Sequence, residues 1–112
     1  MNFNHSKQNQ FTVVKIDENR LDASQANAFK DYMLGLLNSG EDKIILDLSK
    51  INFMDSSGLG AVVAVRKELM SKDDSKMHLA NPQSAINDLL DLTCMNKVFS
   101  IFSSVEDALK NG

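Results

Sequence analysis

Hydrophobic positions change their spacing several times along this chain, and each change marks a boundary between elements. Phe11-Thr12-Val13-Val14-Lys15-Ile16 alternates and is rich in β-branched residues, which predicts a strand, with residues 3–8 forming a weaker strand before it. Asp22 then opens Asp-Ala-Ser-Gln, an acceptor side chain with a Gln three positions later, the arrangement that satisfies free amides at a helix start. Ala26, Phe29, Met33, Leu36 and Leu37 recur at helical spacing up to Ser39-Gly40, predicting an amphipathic helix of about four turns. Lys43-Ile44-Ile45-Leu46-Asp47-Leu48 is a nearly continuous apolar run, the pattern of a strand covered on both faces, and is expected at the centre of a sheet.

From Ser57 to about Met70 a second helix is predicted, with Leu59, Val62, Val63, Arg66, Leu69 and Met70 along one side. Its other side, Ala61, Ala64 and Val65, is small or apolar where a surface helix is normally charged, so its edge, Val65 especially, is expected to meet a partner. Lys76 to Ala80 reads as a strand, and Asn81-Pro82 as cap and first position of a helix carrying Ala85, Ile86, Leu89, Leu90 and Leu92. Val98 to Phe102 is the last expected strand, and Ser103-Ser104-Val105-Glu106 a capping box before a short helix with Ala108 and Leu109. Strands alternating with helices predict an α/β fold, a mixed, mostly parallel sheet of four to five strands with about four helices.

The 112 residues suit one compact domain, expected over 1–112 with its core at about 10–110, and no repeat or linker divides them. Fifteen acidic residues against twelve scattered basic ones, a net charge of −3, offer no field for nucleic acid. Neither a run of about 20 apolar residues nor a secretory leader is present, so a cytoplasmic protein without membrane contact is expected. Cys94 is the only cysteine; neither an internal disulfide nor a zinc set is expected, and a buried, inert thiol is.

The residues with chemical interest are Met54-Asp55-Ser56-Ser57-Gly58-Leu59-Gly60, at the turn before the second helix. Asp55, Ser56 and Ser57 are good cap residues and Gly58 permits a tight turn, so a plain capped helix accounts for them. A helix start also tolerates a phosphate, because unpaired amides and the helix dipole favour negative charge there, so a modifiable serine accounts for them too. A hydrolase elbow is excluded, since Met54 and Asp55 stand where glycine would precede the nucleophile. His5, in an expected frayed start, and His78, in an expected strand, are read as incidental. No phosphate-loop or dinucleotide motif is present, and no cofactor or metal is expected.

Arg20-Leu21-Asp22-Ala23, Ile45-Leu46-Asp47-Leu48, Phe53 to Gly60, and Val98-Phe99-x-Ile101-Phe102-x-Ser104-Val105-x-x-Ala108-Leu109 together resemble the STAS domain of the anti-sigma factor antagonist family, over about residues 10–110. The resemblance implies a non-enzymatic switch in which Ser56 is phosphorylated by a serine kinase that often doubles as an anti-sigma factor, and is dephosphorylated by a serine phosphatase. It implies Ser57 as the capping neighbour, Asp55 as a positioning residue, and Gly58 as the place where the kinase approaches the backbone. Leu59 and the turn with Asp22 and Ser24 complete the expected partner surface. A ligand- or nucleotide-sensing STAS module in another partner-switching pathway is the alternative reading. Many relatives have glycine near positions 19 and 94, where this chain has Asn19 and Cys94, so the end of the third helix is expected to be built differently.

Overall fold

The computed structural model describes residues 2–112. Along the chain they form β1 (Phe3–Gln8), β2 (Phe11–Ile16), β3 (Arg20–Leu21), α1 (Ala23–Asn38), β4 (Lys43–Asp47), β5 (Phe53–Met54), α2 (Ser56–Leu69), β6 (Lys76–Ala80), α3 (Ser84–Leu92), a 3₁₀ turn (Met95–Lys97), β7 (Ser100–Phe102) and α4 (Val105–Asn111). The main sheet has the order β1-β2-β4-β6-β7; β1 runs antiparallel to β2, and every other pair is parallel. The α/β fold with a mixed, mostly parallel sheet is therefore observed, and β4 holds its centre, with Ile44, Ile45 and Leu46 fully buried.

The sheet's two faces are covered unequally. On one, Val14, Ile16, Ile44, Leu46, Met77 and Leu79 pack against α1, α2 and α3 through Phe29, Met33, Val62, Val65, Ile86 and Leu90. Full burial of side chains such as Phe29, Met33 and Leu46 stabilises by roughly 1.5–3 kcal/mol each, so this is the principal core. On the other face a smaller cluster joins Phe11, Val13, Ile45 and Ala80 of the sheet to Ala108 of α4.

Several expectations are corrected at element ends. The strand expected over residues 3–8 is present at those bounds, each residue with a register partner on β2 from Phe3–Ile16 to Gln8–Phe11, and the corrections lie further along. Asn81 does not cap α3: its φ of 57° is left-handed, the helix starts at Ser84 after Gln83, and Pro82 lies before it. The last strand is only Ser100–Phe102, since Met95–Lys97 coils into the 3₁₀ turn and Val98 follows it. The α4 cap is Ser104, whose hydroxyl accepts from the Asp107 amide, so the expected box at Ser103 and Glu106 is shifted by one residue. Cys94 is exposed, not buried, and takes the left-handed φ of 60° that a glycine would occupy at the end of α3. That helix therefore ends in the ordinary left-handed turn, with a side chain where glycine costs least.

Candidate functional site: two helix starts side by side

Between β4 and α2 the chain makes one more short strand, β5, which runs parallel to β3 with Arg20 opposite Phe53 and Leu21 opposite Met54. Amides of Asn52 and Phe53 donate to the Asn19 carbonyl at 2.8 and 3.3 Å, fastening the start of this ladder. Two-residue strands are too short to show a period, and this pairing has no signal in the hydrophobic pattern. Its consequence is positional. One step beyond the last pair, Asp22 and Asp55 come level, and each is the N-cap of the helix that follows.

At the first start, the Asp22 carboxylate accepts from the Ser24 amide at 3.0 Å and the Ser24 hydroxyl at 2.6 Å, while Gln25 Oε1 accepts from the Asp22 amide at 3.0 Å. Arg20 Nε donates to the other Asp22 oxygen at 2.9 Å, and its guanidinium lies 4.9 Å from the centre of the Phe53 ring. Those bonds, the Ser24 hydroxyl first among them, hold the Asp22 carboxyl below its ordinary value of 3.8. The two helix starts are thus bridged on the surface by one arginine stacked on one aromatic ring.

At the second start, Asp55 Oδ1 accepts from the Gly58 amide at 2.9 Å, and the Asp55 carbonyl takes the Leu59 amide at 3.0 Å. The capping role expected of Ser57 therefore belongs to Asp55, because its backbone is extended just before the helix while Ser56 and Ser57 already occupy helical positions one and two. Both serines are exposed, and Leu59 is half-buried beside them. Gly58 is buried instead of offered to a visitor: a Cβ there would stand 1.9 Å from the Leu21 carbonyl oxygen. The residue is small so that α2 can pass against β3, which corrects its expected role in kinase approach.

The rest of α2 also departs from expectation. Gly58, Ala61, Val62, Val65 and Leu69 form its buried stripe, and Val65 is 1% exposed. Val65 lies in the core between α1 and α2 and so cannot meet a partner at the surface. The small residues Gly58 and Ala61 mark a close helix contact, a signal weaker in a hydrophobic pattern than leucine or valine. Asp22, Ser24, Asp55, Ser56, Ser57 and Leu59 are the predicted residues that the fold gathers at one end of the molecule.

Sequence reasoning missed the apolar surface beside them. Phe53, 44% exposed, and Leu92, 83% exposed, belong to a shallow groove of about 260 Å³ with Leu89 and Asn52. A larger hollow of about 800 Å³, between α3, the 3₁₀ turn and β7, contains none of the serine-turn residues. Among the described residues no group of His, Cys, Asp and Glu is arranged to hold a metal ion. No helix among them is long and apolar enough to cross a membrane.

The antiparallel first strand, the parallel strands behind it and the paired helix starts are the architecture of a small mixed-sheet α/β domain. Residues 2–108 match the STAS domain family, and the chain belongs to it. A Thermotoga maritima protein provisionally named an anti-sigma factor antagonist is 27% identical over 99 residues, spanning 88% of this chain and 87% of that one. A crystal structure of the corresponding Thermotoga maritima protein superposes with a TM-score of 0.85 at 27% identity, covering 96% of this chain and 92% of that one. The anti-sigma F factor antagonist of Paenibacillus polymyxa is 31% identical over 68 residues, 61% of this chain and 57% of its own length. SpoIIAA in its unphosphorylated form shares the fold, with a TM-score of 0.79 at 20% identity over 96% of this chain and 93% of its own.

Proposed function

We propose that this chain is an anti-sigma factor antagonist worked by phosphorylation: unmodified, it binds a serine kinase that serves as anti-sigma factor; modified on Ser56, it lets go. The observation that carries this is the placement of an exposed Ser56 at the first position of α2, capped by Asp55 and level with the Asp22 cap of α1. A kinase can reach that hydroxyl without opening the fold. The free amides of the helix start, with the dipole behind them, then tolerate the product. The same fold exists with a phosphate, since the Bacillus cell-fate determinant SpoIIAA has been solved in a phosphorylated form, with a TM-score of 0.72.

Release follows from charge. A phosphoserine adds about −1.5 to −2 at pH 7 next to two carboxylates, on a surface that a docked partner would dehydrate. Like-charge juxtaposition at an interface costs several kcal/mol, and about 1.4 kcal/mol is tenfold in affinity. Asp22, Ser24, Ser57 and Leu59 form the surrounding contact surface, and the exposed Phe53 extends it. Transfer chemistry, with its nucleotide and metal, belongs to the kinase, and a serine phosphatase in the same cytoplasm resets the switch.

With the cognate kinase and ATP, the wild-type chain is expected to take up one phosphate, Ser57→Ala one, and Ser56→Ala none. Label that persists in Ser56→Ala overturns the assignment. Partner affinity is expected to fall at least tenfold on phosphorylation, and equal affinity of the two forms overturns the switch.

A further inference from the structure

The α4 side of the sheet holds a titratable group that the serine switch does not use. His78 stands on β6, with its ring 5.7 Å from that of Phe11 on β2 and 5.3 Å from that of Phe102 on β7, so aromatic rings flank it. Both ring nitrogens are sealed from solvent and neither has a hydrogen-bond partner. The cover is the end of α4: a Cβ at Gly112 would lie 2.6 Å from His78 Cδ2, so the backbone there rests on the imidazole. Lys76 Nζ donates to the Gly112 carbonyl at 3.2 Å from the same strand.

We propose that His78 is an acid-sensitive latch: neutral, it lets α4 seat on the sheet, and protonated, it drives α4 off while the main core stays folded.

No acceptor is bonded to either ring nitrogen, so a new cation there would have no hydrogen bond to stabilise it. On β6 itself the neighbour is Lys76, and its register partner on β4 is Lys43, whose ammonium is paired with Asp42 at 3.7 Å. Opposite His78 on β4 is Ile45; Asp47 and Lys15, paired with each other across β4 and β2, lie further along. β2 presents Phe11 and Val13, and β7 presents Ser100 and Phe102. On α4, Glu106 pairs with Lys110 at 3.2 Å, and Asp107 accepts from Asn111 at 2.6 Å, so both carboxylates are engaged along the helix. Burial, and then Lys76, lowers the His78 pKa below its ordinary 6.5.

The sign follows from linkage. The seated state disfavours the protonated ring, and unseating removes the burial that does so and moves the pKa back towards its ordinary 6.5. Seating is therefore fully stable above that pH and weakens as pH falls below it, by up to about tenfold per unit for one proton. The element that yields is α4, because its seven residues, resting on Phe11, Val13, Ile45 and Ala80, separate at less cost than the three helices on the other face.

Hydrogen exchange on the full chain at pH 7.5 and 5.5, corrected for intrinsic rates, tests this. The Ala108 and Gly112 amides, bonded to the Ser104 and Ala108 carbonyls, report α4, and the Leu46 amide reports β4. Opening of α4 is expected to rise about tenfold relative to β4 at the lower pH. His78→Phe and His78→Gln, uncharged at both values, are expected to abolish that difference. An unchanged α4, a β4 that loosens in step with α4, or the same pH effect in either variant overturns the proposal. Should neither variant fold, exchange of the Ala108 and Gly112 amides in the native chain is followed alongside the NMR titration of His78: α4 opening that tracks the imidazole titration supports the latch, and opening that does not track it overturns it.

Discussion

Gly58 and Gly60 read alike in Ser57-Gly58-Leu59-Gly60, yet they stand in opposite situations. A methyl group at Gly58 would overlap the Leu21 carbonyl at 1.9 Å, where backbone meets backbone and neither can swing away; at Gly60 nothing lies within 4 Å. Gly58→Ala is expected to destabilise by about 3 kcal/mol, the range of overpacking that forces main-chain shifts. Gly60→Ala, in a helix interior, should stabilise by up to about 1 kcal/mol, since alanine loses less backbone entropy on folding. Urea unfolding of the two variants checks the contrast, and similar losses in both would contradict the close approach of α2 to β3. That approach involves residues 37 positions apart, which is why no local pattern reveals it. Cys94 misleads in the opposite way: a cysteine in place of glycine suggests a helix end built differently, yet it adopts the ordinary left-handed turn at φ 60° despite its side chain.

Helices announce themselves by caps and stripes, and the two signals fared differently. The Asp22-x-x-Gln25 start of α1 is built as its sequence implies, carboxylate to amide and amide to carboxamide. Where several cap residues adjoin, as in Asp55-Ser56-Ser57 and Ser103-Ser104, composition leaves the cap open by a residue, and extended backbone selects Asp55 and Ser104. The α2 stripe is legible at Val62 and Leu69 but not at Gly58, Ala61 and Val65, so the pattern turns Val65 outward where the fold buries it. The α1 cap makes a pH prediction. Its bonds hold the Asp22 carboxyl below 3.8, so the stability it contributes is present above that value and lost as pH falls through the lower, folded one. Asp22→Asn keeps a good cap without the charge. Thermal unfolding between pH 5 and 2.5 should show a wild-type advantage at pH 5 that narrows on acidification. A constant gap would mean that the Asp22 carboxylate contributes nothing through its ionisation.

The whole molecule separates its two jobs by position. Stability resides chiefly in the face under α1, α2 and α3, whereas the serine turn stands at the end of the sheet, held by the two-residue β3–β5 ladder. The α/β order, the central β4 and the serine turn could be read from the chain, because long runs and dense motifs carry their own signal. The level placement of the Asp22 and Asp55 caps, 33 positions apart, could not, because it depends on a parallel pairing of only two residues per strand. Under the proposed switch, this placement is expected to let a charge be added without refolding. With phosphoserine incorporated at position 56, two effects oppose one another: the helix start favours the phosphate by about 0.3–1 kcal/mol, and Asp55 repels it by a comparable amount across solvent. Global stability in urea should therefore change by less than about 1 kcal/mol, with the denaturant slope unchanged, while partner affinity falls at least tenfold. If the phosphorylated chain instead lost several kcal/mol or unfolded with a different slope, release would arise from loosening of the domain, and charge at a rigid surface would not be the mechanism.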